Sequence, residues 1–281
     1  MITLVDVLKK TEAYFKQRGI PSPRLDAELI IGHCLGLTRV NLYMNFDRPL
    51  SEDELKQIRP LVRRRGSREP VAWITGTKGF WTLDLKVRTG VLVPRPDTER
   101  LVELGLEWIE EDEECFVADI CCGSGAIGLA LASERPGVRI FATDLAQEAL
   151  ECTRANVQAL GLKDRVAVLQ GSLLTPIPAE RPIDYVLSNP PYIASAVLDG
   201  LEPEVSQHEP RLALDGGTDG LDIYRQLIPA AAKRARKGVM VEIGHDQAGS
   251  VSELFQQAGL QDVQVHTDLG KRDRVVSGRT S

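Results

Sequence analysis

The 281-residue chain is predicted to fold as an α/β protein: a doubly wound, mainly parallel sheet preceded by a small N-terminal helical bundle, the two joined by a β-hairpin. Three observations carry this reading. Short apolar runs alternate with helix-spaced segments from residue 115 onward, the first third is helix-spaced throughout, and a glycine-rich turn follows the first short run of the alternating region. Such alternation specifies parallel strands with helices on both faces, and it places ligands outside the carboxyl ends of the strands.

At roughly 150 residues per domain the length allows two domains. Boundaries are expected at 1–70 for the helical domain, 71–93 for the hairpin connection and 94–281 for the α/β domain. A hydrophobic content of 43% against 26% charged residues excludes disorder over most of the chain. The balance of 34 basic against 40 acidic residues gives a net charge of -6, which argues against affinity drawn from blanketing phosphates. Five cysteines, Cys34, Cys115, Cys121, Cys122 and Cys152, form no C-x-x-C pair, so neither a disulfide framework nor a metal site is expected. The first residues carry Asp6 where a signal peptide carries basic groups, and no apolar run approaches membrane-spanning length. A cytoplasmic protein is expected.

In the helical domain, Thr3 with Asp6 forms a capping box, and Leu4, Leu8 and Phe15 recur on one face before Gly19 and Pro21 end the segment. Leu25, Leu29 and Gly36 outline a second helix. Ser51 with Glu54 opens another, whose face carries Leu55, Ile58 and Val62 and whose end carries Arg63, Arg64 and Arg65 near the negative pole of the dipole. From Val71 the pattern turns β-like, broken by Gly76, Gly79 and Gly90, with Phe80, Leu83, Leu85, Val87 and Val91 suggesting one or two hairpins. Pro94 to Glu99 then starts a helix that runs to the acidic cluster Glu110 to Glu114. Strands are expected at Phe116 to Ile120, Val138 to Ala142 with Asp144 at its end, Val166 to Gln170, Tyr185 to Leu187, and Val239 to Ile243. Helices are expected at Ala126 to Ser133, Gln147 to Leu160 and Tyr224 to Ala235.

Gly123-Ser124-Gly125-Ala126-Ile127-Gly128 fits the pattern G-x-G-x-x-G, and Asp144 stands about 20 residues on, where a ribose-binding acid belongs in a Rossmann-like fold. Alone this suggests NAD. Against it, Asp119 is expected to aim a carboxylate at the region a pyrophosphate would occupy, and Cys121 and Cys122 lengthen the loop. S-adenosyl-L-methionine resolves the conflict: it lacks phosphate, its ammonium suits a nearby acid, and its ribose hydroxyls suit Asp144. The plainer alternative is that these glycines merely permit tight strand-to-helix packing.

After the strand ending at Ser188 come Asn189, Pro190, Pro191 and Tyr192. Two prolines in succession make a stiff loop without backbone donors. A conjugated NH2 is a poor nucleophile; the Asn189 side-chain oxygen and the Pro190 carbonyl can accept its hydrogens, hold the nitrogen in line and stabilise its growing positive charge, the mirror image of an oxyanion hole. Each acceptor contributes about 1–3 kcal/mol, whereas near-attack positioning supplies up to roughly 7–11 kcal/mol. Positioning therefore dominates. Tyr192 offers a flat face to a planar group; read in isolation, the same four residues also suit a rigid turn with a half-buried tyrosine.

Glycine turn, Asp144 and Asn-Pro-Pro-Tyr together resemble a class I S-adenosylmethionine-dependent methyltransferase acting on a planar NH2. Four further segments narrow the resemblance to the PrmC/HemK family: Arg24 to Ile30, Arg68 to Gly76, Val91 to Glu99, and Glu209 to Leu214 through Leu221. Asp268 to Val276 adds a fifth. The resemblance covers nearly the whole chain. It implies transfer of a methyl group from S-adenosyl-L-methionine, with S-adenosyl-L-homocysteine as product, to the side-chain nitrogen of the glutamine in the Gly-Gly-Gln loop of peptide chain release factors. It also implies that the helical domain helps to hold the release factor. By matching motif, Asp119 and Cys121, Cys122, Gly123, Ser124 and Gly125 would surround the methionine end of the cofactor, Asp144 its ribose, and Ser172 and Leu173 its adenine. Asn189, Pro190, Pro191 and Tyr192 would hold the glutamine amide, with Asn189 also beside the cofactor and Arg95 nearby. Two positions depart from the family: an acid is common at Ser172 and glycine at Cys121, where ordinary backbone angles are expected for the cysteine.

The histidines His33, His208, His245 and His266 lack metal-type spacing. Glu242 ends a strand near the same crevice, either as a structural residue or at the substrate entrance. Arg59, Arg63, Arg64, Arg65 and Arg68 read as a solvated helix face, with contact to an acidic release-factor surface as the sharper alternative. Two other functions share the motifs: amino-group methylation of nucleic acid (adenine N6 or guanine N2), and cofactor sensing without catalysis. The net charge of -6 and the absence of an interleaved basic and aromatic stretch argue against nucleic acid.

Overall fold

A computed structural model describes residues 2–280; Met1 and Ser281, the ends of the first and last expected domains, lie outside the described residues. The chain divides into two compact units, Met1–Thr77 with Glu202–His208, and Lys78–Leu201 with Glu209–Ser281.

The first unit holds helices α1 (Leu4–Gln17), α2 (Pro23–Leu35), α3 (Arg39–Met44), α4 (Glu52–Gly66) and α5 (Val71–Thr75). Both expected capping boxes form: Thr3 and Ser51 side chains accept from the backbone N–H groups of Asp6 and Glu54, whose carboxylates accept in return. Helix α2 ends at Gly36 in the left-handed region, φ 65°. Leu4, Phe15, Ile30, Ile31 and Leu42 are fully buried and form the centre of this unit's core. Two expectations change. Val71–Thr75, read as β-like, is one helical turn, because Pro70 starts it, Gly76 ends it at φ 76°, and Trp73 and Ile74 are buried. Arg65 is not on a solvated face: its Nε donates to Asp26 Oδ2 at 2.6 Å and Nη2 pairs with Glu204 at 2.8 Å, with the Arg65 side chain only 6% exposed. Arg68 also binds Glu204, and Arg64 binds Glu69, while Arg59 and Arg63 are exposed.

The hairpin β1 (Thr77–Phe80) and β2 (Leu83–Lys86) follows, all but its first residue belonging to the second unit; Val87 and Val91 lie outside its strands. This unit continues with α6 (Glu99–Trp108), β3 (Cys115–Ile120), α7 (Ala126–Glu134), β4 (Val138–Asp144), α8 (Gln147–Ala159), β5 (Val166–Gln170) and β6 (Ile183–Ser188). After α9 (Pro203–Ser206), which belongs to the first unit, come α10 (Asp222–Arg234), β7 (Ala235–Glu242), α11 (Ala248–Gln257), β8 (Gln261–Thr267) and β9 (Asp273–Arg279). The sheet order is β5-β4-β3-β6-β7-β9-β8, parallel from β5 to β7 and antiparallel through β9 and β8. Strand β6 is buried along its whole length, as a parallel strand covered on both faces must be. The winding reverses at β3, where β4 lies on one side and β6 on the other. Among the described residues no helix is long and apolar enough to cross a membrane.

Candidate active site

The register of three strands gathers the motifs. Ile120 pairs with Thr143 on one side and Ser188 on the other, so the residues that follow, Cys121, Asp144 and Asn189, emerge together from the carboxyl end of the sheet at its switch point. Beside them lies a cavity of about 550 Å³. Its walls include Arg95, Cys121, Cys122, Gly123, Ser124, Asp144, Ser172, Leu173, Asn189 and Pro191. Gly125, Pro190, Tyr192 and Asp119 do not reach its surface.

The glycine turn is held from below. Backbone φ is +59° at Cys121, +57° at Gly123 and +81° at Gly125, a sequence of left-handed residues that folds the loop sharply over the sheet end. The ordinary backbone expected of Cys121 is thus replaced by a left-handed one. An L side chain is strained in that region, where glycine is at ease. The Thr153 hydroxyl donates to Gly123 O at 2.9 Å and the Asn156 amide to Ser124 O at 2.9 Å, both from α8, so buried polar residues that carried no sequence signal fix the loop. A Cβ added to Gly123 would meet nothing within 4 Å, so backbone at this point is open to a ligand.

Asp144 spans loop and strand: Oδ2 accepts Gly123 N–H at 3.0 Å and Oδ1 accepts Ala146 N–H at 2.9 Å. Burial pushes its pKa up against these backbone donors. Each oxygen keeps a lone pair that can take a ligand hydroxyl. Gly171 N–H donates to Asp144 O at 3.0 Å and Thr143 Oγ1 to Leu173 O at 2.8 Å, which lays Ser172 and Leu173 along the cavity next to Asp144.

Asp119 departs from its expected placement. It is fully buried, Oδ2 accepts Gly128 N–H at 2.9 Å in the first turn of α7, and Oδ1 has no hydrogen-bond partner. Burial drives its pKa up to about 7. The local reason is Gly128, whose missing Cβ lets the helix lie against the carboxylate; a Cβ there would sit 3.0 Å from Oδ2. Other groups must therefore disfavour a pyrophosphate. The acidic and basic side chains on the cavity wall are Arg95, Asp144, Glu148 and Asp215. Arg95 is already paired with the buried Glu209, which also accepts Val93 N–H at 3.2 Å. An acidic wall with its one cation engaged fits a positively charged, phosphate-free ligand.

Asn189 donates from Nδ2 to Thr98 Oγ1 at 3.1 Å, which turns Oδ1 away as a free acceptor at the cavity wall. Tyr192 donates its hydroxyl to Glu242 Oε1 at 3.3 Å and accepts from Gln247 Nε2 at its backbone oxygen at 2.9 Å. Glu242 is 1% exposed and does not line the cavity; burial raises its pKa to about 7 against the Thr98 hydroxyl and the Arg274 charge. Thr98 lines the cavity but was missed as a site residue, although the segment around Arg95 drew attention to its neighbours. Among the described residues no group of three or more His, Cys, Asp or Glu side chains is placed to hold a metal.

Comparison with known proteins gives the following. The sequence profile of the PrmC N-terminal domain matches residues 6–76, and that of the Methyltransferase small domain matches residues 102–202. The chain is 42% identical over 279 residues to the release factor glutamine methyltransferase of Geobacter sulfurreducens, covering 99% of this chain and 96% of that protein. It is 41% identical over 279 residues to that of Caulobacter vibrioides, again covering 99% and 96%. A solved structure of the hMettl16 catalytic domain in complex with MAT2A 3′UTR hairpin 6 matches 70% of this chain and 75% of that chain with a TM-score of 0.57 at 16% identity, a likeness of fold alone.

Proposed function

We propose, from the premise that this chain belongs to the release factor glutamine methyltransferase family, that it methylates the side-chain amide nitrogen of the glutamine in the Gly-Gly-Gln loop of class 1 release factors. S-adenosyl-L-methionine, as the group this family and the acidic cavity suit, supplies an electrophilic methyl carbon when bound.

The residues then divide the work. Asp144 accepts the ribose hydroxyls while its other lone pairs keep the glycine turn in place. The open backbone at Gly123, with Cys121 and Cys122, borders the methionine end, and Ser172 and Leu173 border the adenine. Asn189 Oδ1 accepts from the glutamine NH2 and Pro191 shapes the wall beside it, while Pro190 and Tyr192, which lie behind that wall, stiffen the loop that carries both. Tyr192 is steered by Glu242 and Gln247. No general base is required: an amide nitrogen that gains a methyl becomes acidic and can lose its proton to water. The helical unit is assigned to holding the release factor.

What carries the reading is the single cavity bordered by both Asp144 and Asn189, whose free acceptor faces it. The test is incubation of the full-length protein with S-adenosylmethionine and a purified release factor, followed by mass spectrometry of the Gly-Gly-Gln peptide. One added methyl on the glutamine supports the proposal; an unmodified peptide, or methyl entering DNA or RNA instead, overturns it.

A further inference from the structure

The loop from Asn189 to Tyr192 is pinned at both ends. At its start, Ser188 pairs with Ile120 in the sheet, and the Ser188 hydroxyl donates to Ile120 O at 2.6 Å. Pro190 and Pro191 carry no N–H, so the middle of the loop has no backbone donor with which to anchor itself. At its end, the Tyr192 carbonyl accepts from Gln247 Nε2 at 2.9 Å. The same nitrogen donates to Gly220 O at 3.3 Å, and Gln247 Oε1 accepts Gly244 N–H at 2.9 Å. Both partners of the nitrogen are carbonyls, which only accept, and the partner of the oxygen is an N–H, which only donates. One orientation of this amide therefore makes all three bonds, and the half-turned one makes none. Gln247 is itself fixed at the opening of α11: its N–H donates to Gly244 O and its carbonyl accepts Val251 N–H, each at 3.0 Å.

A glycine-built segment packs against the same backbone. Ile193 N–H donates to Leu214 O and Gly216 N–H to Ile193 O, each at 2.9 Å. A Cβ on Gly216 would come within 2.8 Å of Tyr192 Cα and 2.7 Å of Gly220 O, and one on Gly220 would collide with Tyr192 O. We propose that Gln247 and Gly216 are positioning residues for methyl transfer. Gln247 ties the Tyr192 carbonyl to Gly220 and to Gly244 just beyond β7, and Gly216 leaves room for Tyr192 to sit there. Two prolines with locked φ then carry the position of Tyr192 back to Asn189. Asn189 lines the cavity, whereas Gln247, Gly216 and Tyr192 do not, so both residues act through the loop and never on the ligands. This rests on the methyl-transfer reading above.

The test compares full-length wild type with Gln247→Glu and Gly216→Ala. It measures kcat and KM on a purified release factor and S-adenosylmethionine affinity by calorimetry. Gln247→Glu keeps the side chain's length and an oxygen for Gly244 N–H, but when ionised it turns a second oxygen, without a proton, toward the carbonyls of Tyr192 and Gly220. Gly216→Ala crowds Tyr192 Cα and leaves the Gln247 amide in place. Each is expected to lower kcat by on the order of 10- to 100-fold, the scale on which misplacing a reacting group by up to an ångström slows a reaction, while KM and cofactor affinity stay within about threefold. Should Gln247→Glu fail to fold, Gly216→Ala decides. Turnover at the wild-type rate overturns the inference and leaves the methyl-transfer reading intact. So does a rise in KM with kcat unchanged, or a parallel loss of kcat and cofactor affinity, which marks a general structural role. An inactive wild type overturns both.

Discussion

Asn189 and Thr98, 91 residues apart, are joined by a 3.1 Å hydrogen bond in which the amide nitrogen donates, so the asparagine presents an oxygen to the cavity rather than a hydrogen. Removing that oxygen isolates its contribution. Asn189→Ala is expected to lower methyl transfer by about 100- to 1000-fold, as loss of one charge-stabilising partner does at comparable sites. S-adenosylmethionine affinity, measured by calorimetry, should change little. Turnover near the wild-type rate in this variant would refute the role given to Asn189.

Asp144 is expected to separate binding from chemistry in the opposite sense. Asp144→Asn should weaken S-adenosylmethionine binding by about tenfold or more, the cost of one or two hydrogen bonds to a charged acceptor. With the cofactor saturating, kcat should recover most of its value. Equal cofactor dissociation constants for variant and wild type would remove Asp144 from the binding site.

The left-handed backbone at Cys121, φ +59°, makes a stability prediction. Backbone strain of this kind costs about 1–3 kcal/mol, and a β-branched side chain tolerates it least. Cys121→Val should therefore unfold more easily than Cys121→Gly by roughly that amount in denaturant titrations. Identical midpoints in the two variants would mean that the loop relaxes and stores no strain.

Arg65 lies between Asp26 and Glu204 with 6% of its side chain exposed. Arg65→Met leaves the buried Asp26 without its partner, while Glu204 keeps Arg68, and is expected to cost about 3–5 kcal/mol near neutral pH. Burial already raises the Asp26 pKa, with Arg65 opposing that shift. Without the guanidinium the shift should grow, so acid restores stability to the variant as pH falls toward the Asp26 pKa. A variant as stable as wild type at pH 7 would contradict this account.

Asp119 and Glu242, each raised to about 7 by burial, make stability depend on pH with a definite sign. Between about pH 4.5 and 7 the folded protein retains protons that the unfolded chain has released, so this contribution weakens as pH rises through that window. Glu242→Gln is expected to flatten the stability slope measured by chemical denaturation from pH 5 to 7.5. An unchanged slope would show that Glu242 does not titrate there.

The parts legible in the sequence are those set by near neighbours. Thr3 with Asp6 and Ser51 with Glu54 are three residues apart, and both boxes form. The strand expected over Val166 to Gln170 spans those residues, because a short apolar run between a helix and a turn has few other folds. Strand β8 escaped notice because it is an exposed edge whose apolar alternation is limited to Val263 and Val265, its burial pattern almost wholly open.

Local pattern by itself determined the alternating architecture, the glycine turn and the presence of a stiff acceptor loop, since each depends on residues within one turn or one strand of each other. Tertiary structure alone decided that Asp119 turns to Gly128 and away from the cavity, that Arg65 is buried against an acid 39 residues earlier, and that the Asn189 amide meets the Thr98 hydroxyl. The physical reason is that direction and burial of a polar side chain follow from which partner packing brings within about 3 Å, and no spacing along the chain encodes that partner.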